Sequence, residues 1–157
     1  MLSPSAQKVQ DALNERGFAH LQVLELSAST RTAQEAADAV GCTVGQIVKS
    51  LIFRGATSGQ PYLLLVSGAN RVDVHKVEES LGEQLIKPDA EYVRIITGFA
   101  IGGVPPLGHA QHLEALIDPD LLRYERIYAA AGTPFAVFEL SPNELLVLTR
   151  GRIMRVA

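Results

Sequence analysis

Ile47-Val48-Lys49-Ser50-Leu51-Ile52-Phe53 and Pro61-Tyr62-Leu63-Leu64-Leu65-Val66 are separated by Arg54 to Gln60, a turn that holds two glycines. Each run is short, apolar and bounded by turn residues, so the two read as an antiparallel hairpin in the core. Lys49 is the outlier. Period 2 puts it on the face of Ile47, Leu51 and Phe53. A buried ammonium there is costly unless it meets an anion. In a cleft it would hold a phosphate, or lose its proton more readily as desolvation lowers its pKa. The structural alternative is an edge-strand lysine whose stem lies along the sheet. Ser50 leaves the opposite face, so a regular strand forbids a Ser–Lys dyad.

Around this hairpin, short helices and strands are interleaved without a regular βαβ rhythm. Pro4 to Arg16 has an apolar stripe of Ala6, Val9 and Leu13, with Ser3 as cap and Gly17 as stop. His20 to Leu26 alternates as a strand. Thr32 to Glu35 has capping-box spacing before a helix over Ala33 to Val40. Asp73 heads a helix over Val74 to Leu81, and Pro88-Asp89 starts another over Ala90 to Ile96. Leu113 to Ile117 reads as a strand, Leu121 to Tyr128 as a helical turn or short helix, and Phe135 to Leu140 as a strand. Ser141-Pro142-Asn143-Glu144 opens a last helix before an edge strand over Ile153 to Val156. The pattern predicts a single α+β domain over residues 1–157, with a mixed or antiparallel sheet that is partly closed.

One segment is too apolar for a tether and too rich in Gly and Pro for a regular element. It is Thr97-Gly98-Phe99-Ala100-Ile101-Gly102-Gly103-Val104-Pro105-Pro106-Leu107-Gly108-His109. Gly allows close backbone approach and Pro fixes φ, so such a loop can aim several N–H groups at a phosphate, a carboxylate or an oxyanion. A tight crossover is the plainer reading.

Net charge is -3 and 20% of residues are charged, which argues against a polybasic DNA binder and leaves room for a local positive site. Cys42 alone excludes a disulfide framework and a cysteine-rich metal site. It reads as a small buried hydrophobe. His109 and His112 lack a third ligand at a recognised spacing, so no metal is expected. His109 closes the glycine loop and is a candidate pocket residue. Ser67 and Asn70, after the second strand, are candidates to face the cleft of Lys49. Nucleotide-binding and serine-hydrolase signatures are absent. The beginning, MLSPSAQKVQDALNERG, lacks the pattern of a secretory leader, and no apolar run is long enough to span a membrane. A cytoplasmic protein is expected.

Four pieces in one order carry a resemblance. They are Thr32-Ala33-Gln34-Glu35-Ala36-Ala37 before Gly41, Gln46 through Phe53, Gly98 through Gly108 as G-x-x-x-G-G-x-x-P-x-G, and Phe135-x-x-Phe138 followed by Ser141-Pro142-Asn143-Glu144-Leu145. Together they resemble the YbaK/EbsC family, the prolyl-tRNA synthetase-associated editing domain, over about residues 30–156. The resemblance implies a free-standing deacylase that hydrolyses the ester of mischarged tRNA. Its implied fold is a mixed sheet curved toward a barrel with short helices around it. Its implied partners are the aminoacyl-tRNA acceptor end and prolyl-tRNA synthetase, with no cofactor and no metal; a monomer is the plain expectation, apart from the resemblance. It makes Lys49, Gly102 and Gly103 the catalytic candidates, with Lys49 on the acceptor end and the loop N–H groups on the ester. Thr32, Phe53, Ser67 and Asn70 become substrate-binding candidates. In the loop the same holds for Phe99, Ile101, Val104, Pro105, Pro106, Gly108 and His109.

Many members of that family carry Ser where this chain has Pro105, which removes a hydroxyl and stiffens the loop. Phe99 and Ile101 make the wall apolar, which fits a small, weakly polar aminoacyl group, Cys or Ala in type, on tRNA(Pro). No protein general base is evident, so a ribose hydroxyl or a backbone carbonyl is expected to position the water. Two rival readings remain. One is a tRNA- or synthetase-binding module of the same fold without hydrolysis. The other is a small regulatory domain for a nucleotide or amino acid.

Overall fold

The computed structural model describes residues 1–157. The chain runs α1 (Pro4–Glu15), β1 (Val23–Glu25), α2 (Ala33–Val40), β2 (Ile47–Gly55), β3 (Pro61–Ser67), α3 (Val74–Leu81), β4 (Leu85–Ile86), α4 (Ala90–Thr97), β5 (Glu114–Ile117), β6 (Ile127–Ala130), β7 (Ala136–Leu140), α5 (Pro142–Thr149) and β8 (Arg152–Ile153). Single 3₁₀ turns over Val44–Gln46 and Pro119–Arg123 precede β2 and β6.

All eight strands join one mixed sheet in the order β1-β7-β6-β2-β3-β5-β8, with β4 added on β2. The β2–β3 hairpin pairs antiparallel from Val48↔Ser67 to Arg54↔Pro61. It is flanked by parallel neighbours, β6 on β2 and β5 on β3. The path ends on β1 and β8 without pairing them to each other.

Burial explains why β3 has almost no polar residue. Leu63 and Leu65 face the main core, with Val9 and Leu13 of α1, Val93 of α4, and Leu145 and Leu148 of α5. Tyr62, Leu64 and Val66 face the other way, onto Val77 of α3, Leu116 and Val156. A strand covered on both faces reads as a continuous apolar run. A third small cluster packs Ala36 and Ala37 of α2 on Ile47.

Leu121 to Tyr128 is not a helix. Pro119–Arg123 forms a 3₁₀ turn, and Ile127–Ala130 is strand β6. The alanines after Tyr128 favour a helix locally, but Ile127 and Ala129 alternate into the core and β6 gains partners in both β2 and β7. Tertiary pairing overrides the propensity, so Tyr124 and Tyr128 are not one helical turn apart.

The hairpin turn is tied down by Glu83. Its carboxylate accepts the Thr57 N–H at 3.0 Å, the Ser58 N–H at 2.9 Å and the Ser58 and Tyr62 hydroxyls at 2.8 Å each. These bonds, those from Ser58 first, hold its pKa at about 2 against an ordinary 4.5. A depressed carboxylate stabilises the fold above its unfolded pKa, and the contribution is lost as pH falls through the folded one. Wild type should therefore lose stability more steeply than Glu83→Gln between pH 4.5 and about 2. Denaturation midpoints of the two proteins across that window would show parallel slopes if Glu83 were unlinked to folding.

Candidate active site

β2 pairs with β6 only through Ile47↔Tyr128 and Val48↔Ala129. From Lys49 onward β2 keeps β3 on one side and leaves β6 on the other. A cavity of about 360 Å³ opens there. Lys49, Ser50 and Leu51 line it from β2, Tyr128 to Ala130 from β6, and Val137 from β7. Thr30 to Ala33 and the loop residues Ile101, Gly102 and Val104 close it. A second chamber of about 200 Å³ continues along β2 past Ile52 and Phe53 to Lys87, Pro88 and Val93. The chambers share Ser50, Leu51, Ile101, Gly102 and Val104.

The Thr30–Ala33 wall is anchored at both ends. The Thr30 N–H and hydroxyl both donate to the Pro134 carbonyl, at 2.6 and 2.9 Å. Thr32 caps α2, its Oγ1 accepting the Glu35 N–H at 3.1 Å. The Thr32 hydroxyl in turn donates to the Glu35 carboxylate at 3.0 Å, so the cap uses the hydroxyl twice and the backbone half of a capping box is not made. Arg31 stands exposed between these anchors. Gly102 has φ +96°, and a Cβ there would sit 3.3 Å from Arg31 Cγ. Arg31 makes no ion pair within the chain, so its charge is available at the rim.

Lys49 is half-buried, and its ammonium donates to the Asn70 carbonyl. Burial pulls its pKa below the ordinary 10.5, Arg71 adds to this and Asp118 opposes it. The acceptor belongs to a network centred on Asp118, which is 2% exposed. Asp118 Oδ2 accepts the Ser67 N–H at 3.0 Å and the Asn70 amide at 2.8 Å, and Oδ1 accepts the Asp120 N–H at 2.9 Å. The Asn70 amide also donates to Asp120 at 2.8 Å.

Of the residues singled out in the sequence, Lys49, Thr32, Ile101, Gly102 and Val104 meet around the larger cavity, with Phe53 in the smaller one. Others stand elsewhere. Ser67 is buried and donates its hydroxyl to the Gly45 carbonyl at 2.7 Å. With Asn70 it supports Lys49 from behind. Phe99 is buried under Lys8, whose Nζ lies 4.5 Å from the ring centroid. Pro105 is buried, and its carbonyl accepts from His109 Nε2 at 2.6 Å, which assigns the Nε2–H tautomer. Burial lowers the pKa of His109. Pro106 and His109 line a different cavity, beside Arg16 and Thr149. Gly108, φ +79°, turns against Ala12.

Gly103 departs most from its expected part. Its N–H donates to the Ala100 carbonyl at 3.1 Å, and its carbonyl accepts the Gly132 N–H at 2.8 Å. A Cβ at Gly103 would lie 2.7 Å from Thr133 N. This glycine lets the loop rest on the β6–β7 turn. The N–H groups of Ile101, Gly102 and Val104 find no acceptor within the chain, and all three residues line the cavity.

The cleft thus holds a half-buried cation, unbonded loop N–H groups and the rim charge of Arg31 between mostly apolar walls. The model of the aminoacyl-tRNA editing domain matches residues 27–148. The chain belongs to this family. It is 33% identical over 123 residues to the uncharacterized protein YwhH of Bacillus subtilis, covering 78% of each. It is 25% identical over 126 residues to EbsC of Enterococcus faecalis, provisionally named a Cys-tRNA(Pro)/Cys-tRNA(Cys) deacylase, covering 80% of this chain and 76% of that one. A solved structure described as a candidate trans-editing enzyme for prolyl tRNA synthetase superposes with a TM-score of 0.95 at 56% identity, over 99% of this editing domain and 98% of that chain. No helix of the editing domain is long and apolar enough to cross a membrane.

The sequence reading passed over Arg31, Tyr128, Ala129, Ala130 and Val137. Only Arg31 carried a signal, as the residue before the cap Thr32. Tyr128 closes the span read as helical, Ala129 and Ala130 follow it on β6, and Val137 lies on β7.

Proposed function

We propose that this protein is a trans-editing deacylase that hydrolyses the ester of mischarged aminoacyl-tRNA, its substrate tRNA(Pro) bearing a small non-cognate amino acid such as Cys or Ala. The observation that carries the reading is the meeting of Lys49 and the free Gly102 N–H across one apolar cavity, in a chain of the editing family. Lys49 and Arg31 supply positive charge for the acceptor-end phosphates. The Gly102 N–H is suited to a carbonyl oxygen that becomes an oxyanion. The apolar walls suit a small side chain and reject a close homologue only weakly, by about 1–3 kcal/mol per methylene. Prolyl-tRNA synthetase is the protein partner that this reading implies.

The lining contains no carboxylate, histidine or cysteine. With no side-chain base there, the ribose hydroxyl beside the ester is the natural group to orient the water, among the hydroxyls of Thr30, Thr32, Ser50 and Tyr128. The same feature favours one second reading, a tRNA-binding module that does not hydrolyse. Labelled Ala-, Cys-, Ser-, Thr- and Pro-tRNA(Pro), each beside its cognate tRNA, separate the two. Selective release of Cys or Ala from tRNA(Pro) is expected. Binding of these tRNAs with no release from any of them would establish the second reading.

A further inference from the structure

Ser50 Oγ is buried and has no hydrogen-bond partner in the chain. Ser3 Oγ, at the start of α1, is the other side-chain oxygen in this condition, and Ser3 lines neither chamber of the cleft. A buried hydroxyl without a partner is costly, and no structural contact at Ser50 offsets this. Ser50 sits on the β2 face shared by Val48 and Ile52, opposite Lys49. It lines both chambers, and so does Gly102. With Leu51, Ile101 and Val104 they mark the place where the chambers meet, where a small aminoacyl group in one would join a ribose in the other. The larger chamber has the cation, Lys49. The smaller one is walled by Ile52, Phe53 and Val93, with Lys87 at its far end.

We infer that Ser50 is a catalytic residue of the proposed hydrolysis, its hydroxyl donating to the ester carbonyl oxygen alongside the Gly102 N–H. The assignment rests on the deacylase reading above. In the step, water oxygen bonds to the carbonyl carbon and the C=O pair moves to oxygen, where Ser50 and Gly102 meet the growing negative charge. The pair then returns, the bond from carbonyl carbon to ribose oxygen breaks, and a proton lost by the water ends on that ribose oxygen. The products are the free amino acid and a tRNA with its terminal hydroxyl restored. Serine remains a hydrogen-bond donor throughout and forms no covalent intermediate.

The test is Ser50→Ala beside Ser50→Thr, read by steady-state deacylation and by thermal unfolding. Ser50→Ala should lower kcat about 10- to 100-fold with KM nearly unchanged, the signature of an interaction made in the transition state. Its melting midpoint should hold or rise, because the unpaired hydroxyl is gone. Ser50→Thr keeps the donor and should recover most of the rate. Wild-type kcat in Ser50→Ala would overturn the assignment alone. So would a fall in kcat matched by a lower midpoint that Thr fails to restore, since that marks a packing role. A wild-type protein that releases no amino acid from any tRNA overturns the deacylase reading, and this assignment with it.

Discussion

Lys49→Ala lowers the deacylation rate by about two orders of magnitude, the scale of losing one charged contact to the reacting end, and leaves the thermal midpoint close to wild type. The two halves of this expectation have separate causes. Lys49 is the one cationic side chain on β2 that lines the larger chamber. Its charge is held there against desolvation, as its lowered pKa records. Removing a group whose charge the fold disfavours costs little stability; what is lost is one hydrogen bond to the Asn70 carbonyl. Lys49→Arg tests geometry against charge, because a planar guanidinium cannot replace an ammonium that points at a single carbonyl. The wild-type rate should fall on the alkaline side as pH climbs through the lowered pKa, below 10.5. The wild-type KM should rise with salt, and less steeply in Lys49→Ala. Wild-type turnover in Lys49→Ala would remove the lysine from the mechanism.

The hairpin was legible because its chemistry is local and redundant. Seven apolar or alternating residues, a glycine turn and a second apolar run leave few alternatives. The caps at Thr32, Asp73, Asp89 and Ser141 were legible for the same reason, and each side chain accepts the N–H three residues on. Strand β6 was not. Ile127-Tyr128-Ala129-Ala130 has no local reason to be extended, and its strand form depends on β2 and β7, which are distant in sequence. That one misreading hid a wall of the cavity. The glycine loop shows a different limit. Composition announced a loop of special shape but could not divide the labour among its glycines. Gly102 turns with φ +96°, whereas Gly103 is small so that backbone can approach backbone. Both are glycine for reasons that only three dimensions separate. Ser67 and Asn70 lie near Lys49 in space, as their place after β3 suggested, yet their polar atoms bond Gly45, Asp118 and Asp120 instead of facing the cleft.

Asp118→Ala should be the most destabilising single change near the site, by about 3–5 kcal/mol, the scale of a buried charge-assisted network broken at its centre. The carboxylate is 2% exposed and accepts from the Ser67 N–H, the Asn70 amide and the Asp120 N–H. Alanine leaves all three donors short of an acceptor, in a place that water does not reach freely. Asp118→Asn is nearly isosteric and still fails, because an amide NH₂ in place of Oδ2 would face two N–H donors. Such a loss is a large share of a typical 5–15 kcal/mol, so urea midpoints with unchanged slopes are the suitable measurement. The consequence also reaches the cleft. The Asn70 carbonyl that receives Lys49 is set by the Asn70 amide on Asp118 and Asp120. Asp120→Asn removes one of the two charged acceptors of the Asn70 amide without emptying the buried position. It should leave the midpoint within about 1 kcal/mol of wild type while lowering kcat. Full activity in Asp120→Asn, together with a stable Asp118→Asn, would mean that Lys49 is positioned by its own strand and not by this network.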